Sequence, residues 1–177
     1  MLSSCFNQIP EHRQSNKITY SAHDALMSGF ACMHFQDLSL LQFQKRLEKK
    51  HHKSNLQTLF DIKSIPESTQ LRTIIDGVDS DYFNSFFDDY THHLQRGKHL
   101  AQYQLLDGLY YIPDLFAQGG RCRWKLENEC FNTLKNQGYV IDHSYGHGDK
   151  NLCFNFYLLT LIAFSFHQVY ELTDKVY

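Results

Sequence analysis

The sequence lacks paired cysteines. Its five, Cys5, Cys32, Cys122, Cys130 and Cys153, are odd in number, scattered, and never spaced C-x-x-C. That pattern argues against a disulfide framework or a zinc ribbon and points to a reducing, cytoplasmic setting. The opening residues MLSSCFNQIPEHRQ hold no charged leader followed by an apolar core, so no secretory signal is expected. Charge of one sign is also missing: 17 Lys and Arg face 19 Asp and Glu, a net charge of −2. The total neither marks a nucleic-acid binder nor excludes one, and local charge has to decide. No internal repeat or low-complexity tract is present. The 42% hydrophobic and 15% aromatic content is that of a globular chain rather than a disordered one, and 177 residues suffice for a proper core. A mean hydropathy of −0.45 is not that of a protein with many membrane spans.

What is present is a succession of amphipathic helices. Apolar positions from Ile18 to Phe35 recur at three- and four-residue steps, and the small residues Ser28, Gly29, Ala31 and Cys32 would let another helix approach closely. Before it, Phe6 and Ile9 anchor a short polar arm. Ser39 caps a second helix, Leu40 to about His52. Its tail holds the basic run Lys45, Arg46, Lys49, Lys50 and Lys53, which is either a solvated face or a phosphate contact. Leu56, Leu59 and Phe60 form a short helix that ends at Ile65-Pro66. Pro66-Glu67 starts another, with Leu71, Ile74 and Ile75 inward. The two could form a helix-turn-helix that turns Glu67, Ser68, Gln70 and Arg72 toward a groove, although any small helical bundle contains such a pair.

Asp79 or Ser80 caps the next helix, with Phe83, Phe86, Phe87, Tyr90 and Leu94 on one face and Arg96-Gly97-Lys98 at its end. His92 and His93 are adjacent and cannot share a helix face, so they are not read as a metal site. Tyr103 to Ile112 reads as a strand or tight hairpin centred on Asp107-Gly108. Residues 151 to 170 contain no Asp, Glu, Lys or Arg, but Asn151, Asn155, Thr160, Ser165, His167 and Gln168 interrupt the run. A buried helix is expected there rather than a membrane span.

Between these lies RCRWKLENECFNTLKNQGYVIDHSYGHGDKNL, residues 121 to 152. At 3.6 residues per turn Trp124, Glu127, Phe131 and Leu134 share one face, so Glu127 sits in an apolar stripe. A carboxylate there must be paired, protonated or coordinated. Arg123, one turn earlier, is one partner and a metal ion is another. Gly138 closes the helix. His143 and His147, with Asp142 and Asp149, have spacing that would chelate only in a helix, which Gly146 and Gly148 deny, so a hydrogen-bonded loop is expected.

The run R-x-R-W-K-L-E-N-E-x-F-N-T-L-K-N-Q-G-Y, followed by H-x-Y-G-H-G-x-K-x-L, resembles the C-terminal signature of DDE-type insertion-sequence transposases. The front of the chain is similar to the same family: I-x-Y-S-x-x-D-A-L-M-S-x-F-A at Ile18 to Ala31, L-S-L-L-x-F at Leu38 to Phe43, N-L-x-x-L-F-x-I-x-x-I-P-x-x-T-Q-x-R at Asn55 to Arg72, and L-Q-R-G-K at Leu94 to Lys98. The resemblance implies an N-terminal helical domain associated with transposon-end DNA, with Lys45, Arg46, Lys49, Lys50, Gln70, Arg72, Arg96 and Lys98 as candidate contacts. It also implies an RNase H-like catalytic part that gathers two aspartates and a glutamate around two Mg2+ or Mn2+ ions. Glu127 takes the glutamate position, as metal ligand, with Arg123 and Lys135 beside it. Lys135 falls one residue later than the commoner spacing, and Gly120 stands where a tyrosine is expected.

Asp114 lies near the first aspartate but lacks the Gly-Thr of that motif. Between Ile112 and Arg121 there is no room for the sheet and helices that carry the second. The expectation is therefore a mainly α chain with an internal deletion near residues 112–116. Residues 1–103 form a helical bundle. Residues 104–177 are a vestige of the RNase H-like α/β domain, one or two short strands plus two C-terminal helices. Strand transfer is not expected from it, and no metal is expected to be bound productively. Expected partners are transposon-end DNA, a second copy or full-length transposase, since apolar faces that packed on a lost sheet must cover each other, the N-terminal bundle or another chain. The rival expectation is an all-helical interaction module.

Overall fold

The computed structural model describes residues 1–14, 16, 18–48, 50–98, 104–105, 109–110, 132–139, 141 and 145–174. These residues are mainly helical. In chain order they form α1 (Leu2–Gln8), α2 (Ala22–His34), α3 (Leu40–Leu47), α4 (Lys50–Leu59), α5 (Ser68–Asp76), α6 (Tyr82–Arg96), strands β1 (Gln104–Leu105) and β2 (Leu109–Tyr110), α7 (Asn132–Asn136) and α8 (Leu152–Asp174). The strands pair antiparallel, Gln104 with Tyr110 and Leu105 with Leu109, as the hairpin reading required.

The fold is built around α2. Every residue from Ala22 to Met33 except His23 is buried, so this helix is enclosed rather than laid on a surface. Helices α1, α5 and α8 pack directly on it, and α8 also packs on α5. Gly29 explains the close approach: a Cβ there would stand 2.9 Å from Leu159 Cδ1 and 3.0 Å from Ile75 Cδ1. The stripe of small residues thus lets α5 and α8 converge on one point of α2. Leu159, Ile162 and Ala163 of α8 are fully buried there. Burial of a leucine of this kind stabilises by roughly 1.5–3 kcal/mol.

Helix α2 begins four residues later than the hydrophobic spacing suggested. Ser21 Oγ accepts a hydrogen bond from the Asp24 amide at 2.9 Å, and Glu11 Oε2 accepts one from the Ala22 amide at 3.1 Å. Two otherwise unpaired N–H groups are satisfied at this end, which sets the start at Ala22 and leaves Ile18 outside, exposed. The signal was in the sequence, since Ser21-x-x-Asp24 has the spacing of a capping box.

The single helix expected from Leu40 to about His52 is instead two, α3 and α4. Sixteen residues of straight helix from Leu40 to Leu56 would span about 24 Å. Leu40, Phe43 and Leu56 all reach the one core, and α3 packs against α4, so the chain must bend between them. Ser39 does cap α3, accepting from the Gln42 amide at 3.1 Å. Helix α5 starts at Ser68, with Glu67 as its N-cap residue. At α6 the cap residue is Asp81, and Asp79 Oδ1 accepts from its amide at 3.1 Å.

Hydrophobic residues from both sides of the expected boundary at residue 103 share one core. Tyr145, Leu152, Phe156, Leu159, Ile162 and Ala163 join the residues of α1 to α6. Of the expected destinations for the apolar surface of the rear helix, the N-terminal bundle is the one occupied here. Residues 152–171 are long and apolar enough to cross a membrane by length and composition. In this fold that stretch is packed on α2 and α5.

Candidate functional site

The densest polar constellation among the described residues joins the front of the chain to its tail. Asp76, the last residue of α5, points into the loop before α8. Its Oδ2 accepts from the Asp149 amide at 3.1 Å, and its Oδ1 from the amides of Lys150 at 3.0 Å and Leu152 at 2.9 Å. Desolvation opposes ionisation of this carboxyl, but the backbone donors of residues 149 to 152 outweigh it and hold the pKa below the ordinary aspartate range. In effect Asp76 is a tertiary cap for a helix of 23 residues whose own preceding residue is not an acid.

The loop can turn its amides toward Asp76 because of its glycines. Gly146 and Gly148 have φ of +108° and +66°. A Cβ at Gly148 would also run into Asp76 Oδ1 and Leu152 Cβ. The loop expected from these glycines is thus present. Its work is to hold α5; among the described residues Asp149 and His147 are not gathered with other ligands, and Asp142 and His143 lie outside the described residues.

Three further ties extend this contact. Arg72 Nε donates to the Tyr145 carbonyl at 2.7 Å, and the Tyr145 hydroxyl donates to the Asp37 carbonyl at 2.9 Å. The Tyr145 ring stacks on Phe156 with centroids 5.0 Å apart. Asn155, fully buried, donates from Nδ2 to the carbonyls of Ile75 and Val78 at 2.8 and 2.9 Å, and its Oδ1 accepts from Ser80 Oγ at 2.9 Å. Asn151 Nδ2 donates to Val78 O at 3.0 Å. The last carbonyls of α5 and the turn into α6 are therefore held by two asparagines from the tail.

A second constellation has a nucleophile's connectivity. Ser3 Oγ lies 3.0 Å from His23 Nε2, and His23 Nδ1 lies 3.7 Å from Asp24 Oδ1. The relay that would activate a serine is interrupted, however. At 3.7 Å the His23–Asp24 pair is too long for a hydrogen bond. Asp24 instead accepts from the amides of Lys63 and Ser64 and from Ser64 Oγ at 3.0, 3.2 and 2.9 Å, while Ser3 Oγ donates to Asp61 Oδ2 at 2.9 Å. The group pins α1, α2 and the α4–α5 connection together. It also explains the aspartate of Y-S-x-x-D-A-L as a holder of the following turn.

The residues expected to carry chemistry divide into three sets. Asp114, Arg123 and Glu127 lie outside the described residues, as does Lys49, and the Lys50 side chain is likewise not described. Lys135 is exposed on α7. Of the expected DNA contacts, Lys45, Gln70, Arg96 and Lys98 are exposed, on or beside α3, α5 and α6. Arg46 and Arg72 turn inward: Arg46 NH2 bonds Asp37 Oδ1 at 2.7 Å with its guanidinium 4.9 Å over the Phe35 ring, and Arg72 is held by Tyr145. The outer face of α5 expected to read a groove shares a pocket of about 240 Å3 with Arg13, Thr19 and Tyr20, formed with Thr69, Gln70 and Thr73.

Comparison with family models, with curated proteins and with solved structures finds no match. The chemistry has therefore to be weighed on its own residues. Among the described residues no three His, Cys, Asp or Glu side chains converge as a metal site. The buried or clamped carboxylates Asp24, Asp37 and Asp76 are each engaged by donors of the fold. They do not offer the open coordination that a two-metal centre needs.

Another concavity among the described residues is an apolar groove of about 470 Å3, bounded by Met27, Phe30, His34, Phe60, Phe166 and Tyr170. Sequence reasoning missed both this groove and the Asp76 clamp. Asp76 shows no special pattern in sequence, because its partners lie more than seventy residues away.

Proposed function

We propose that the chain is an internally deleted relative of DDE-type insertion-sequence transposases, retaining the front helices and the tail and unable to cut or join DNA strands by itself. One observation supports this reading above the others: the front and rear segments of the chain fit each other. Asp76 meets three amides of the G-H-G-x-K-x-L segment, and Gly29 of the front motif makes room for Leu159. Surfaces joined at random would leave such groups unpaired at a cost of about 1–3 kcal/mol each. Matched donors and acceptors favour two segments that were neighbours in one fold before the intervening catalytic portion was lost. The vestige of an RNase H-like domain is then the 104–110 hairpin with the two rear helices.

On this reading Glu127 is a metal-binding carboxylate deprived of partners, with Asp114 an imperfect substitute for one of them. Mg2+ or Mn2+ would supply activation of the attacking oxygen and stabilisation of the leaving oxygen in the intact family. DNA contact rests on the exposed Lys45, Gln70, Arg96 and Lys98, with Lys49 and Lys50 of the basic run.

The test uses duplexes carrying the DNA that flanks the gene, searched first for terminal inverted repeats, with Mg2+ or Mn2+. Salt-sensitive binding without strand cleavage is the expected outcome. Cleavage that disappears in Glu127→Ala would overturn the claim of inactivity. A second reading, an interaction module for full-length transposase, is favoured by residues 152–170 of α8, which hold no Asp, Glu, Lys or Arg and where Phe154 is 54% exposed. Co-purification with the full-length protein, in the absence of any DNA affinity, would decide for it.

A further inference from the structure

The C-terminal half of α8 meets α2 through a pair of imidazoles. His34, at the end of α2, and His167 have ring centroids 4.5 Å apart. Around them stand Phe30, Phe35, Phe60 and Tyr170, all within ring contact of His34. His167 Nδ1 is 2.6 Å from the Tyr139 hydroxyl. His34 Nδ1 is buried and has no hydrogen-bond partner. A neutral imidazole tolerates this surrounding. A cation does not, because the site is desolvated, no acceptor reaches His34 Nδ1, and the nearest ring is a second imidazole.

The titratable and charged groups that face the pair from the packed elements are few among the described residues. Helix α8 contributes Tyr170 and Glu171, and Tyr139 follows α7. The α4–α5 connection contributes Asp61 at the groove, α3 contributes Arg46 over the Phe35 ring, and Met1 lines the groove. Among the described residues no carboxylate has an ion pair with either ring.

We propose that His34 and His167 form a proton-operated latch: both rings neutral, the last turns of α8 stay closed on α2; one or both protonated, those turns release and the aromatic groove opens. The inference is independent of the transposase reading. Burial first, and His167 second, push the His34 pKa down to about 4, and burial lowers that of His167 against the pull of the His34 carbonyl and Glu171. The folded latch therefore resists protonation, and release falls below the ordinary histidine range near pH 6.5, toward pH 4.

The experiment is hydrogen exchange of the full chain by mass spectrometry between pH 7.5 and 4, corrected for intrinsic rates, with far-UV circular dichroism to confirm that the helices persist. Protection of residues 166–174 is expected to fall at least tenfold over this range while that of Ala25–Cys32 holds. In His34→Gln with His167→Gln the fall should vanish. The single His167→Gln variant, at a half-exposed position, keeps the test available if the double variant is unstable, and should shrink the fall. An unchanged profile in the variants, or loss of protection at 166–174 only together with α2, would overturn the latch.

Discussion

Replacing Asp76 by alanine tests the joint between front and tail most directly. The substitution deletes the acceptor of three backbone hydrogen bonds, from the amides of Asp149, Lys150 and Leu152, and removes an anion from the N-terminus of α8. Loss of a side-chain cap costs about 0.5–2 kcal/mol, and hydrogen bonds to an ionised group are worth more than neutral ones. The loop is partly open to solvent, so water recovers some of this. We expect a destabilisation of about 1–2 kcal/mol, which for a chain of this size lowers Tm by about 2–8 °C.

The charge supplies an independent check. Because the folded pKa of Asp76 lies below its unfolded value, its contribution is complete above the unfolded pKa, near 3.8. It is lost as pH falls through the folded pKa. Urea denaturation of the parent and of Asp76→Ala should therefore differ at pH 7 and converge as pH drops from about 5 toward 2. A variant as stable as the parent at pH 7, or a difference that does not narrow in acid, would refute the reasoning.

Three substitutions probe the remaining joints. Gly148→Ala places a Cβ at φ +66° and against Asp76 and Leu152, and should cost about 1–3 kcal/mol; combined with Asp76→Ala it should cost less than the sum of the two by urea denaturation. Gly29→Val forces Leu159 and Ile75 off α2 and should destabilise by about 1–3 kcal/mol, with partial recovery when Leu159→Ala is added, measured by the same cycle. Asn155→Ala strips the buried carbonyls of Ile75 and Val78 of a shared donor and should lower stability by about 2–3 kcal/mol, seen as a reduced midpoint with an unchanged slope.

The helical class was legible in the sequence because three- and four-residue spacing requires no knowledge of partners. Leu71, Ile74 and Ile75 were assigned inward and are buried. Phe83 and Phe86 likewise belong to the core. Punctuation was legible too, with Ser39 at the head of α3, Gly97 at the end of α6 and positive φ at Gly138, Gly146 and Gly148. Less was legible where two distant segments meet. The bend between α3 and α4 follows from Phe43 and Leu56 sharing one core, which periodicity along a single helix does not encode. Arg46 and Arg72 read as free cations in the sequence, yet a buried carboxylate and a carbonyl from the tail hold them. The expected set of Asp114, Arg123 and Glu127 stays an expectation, since those residues lie outside the described ones.

By itself the sequence determined the helical class, the cap of α3 at Ser39 and the small-residue face of α2, because each depends on neighbours within a few positions. It also carried the motifs on which the family resemblance rests. Only the tertiary structure decided where the rear helix goes. An uncharged stretch of twenty residues has no directional preference of its own, since apolar burial is proportional to area and does not care which surface supplies it. The choice of α2 and α5 is made by groups that do have direction: the Asp76 carboxylate, the Asn155 amide and the vacancy over Gly29 that admits Leu159.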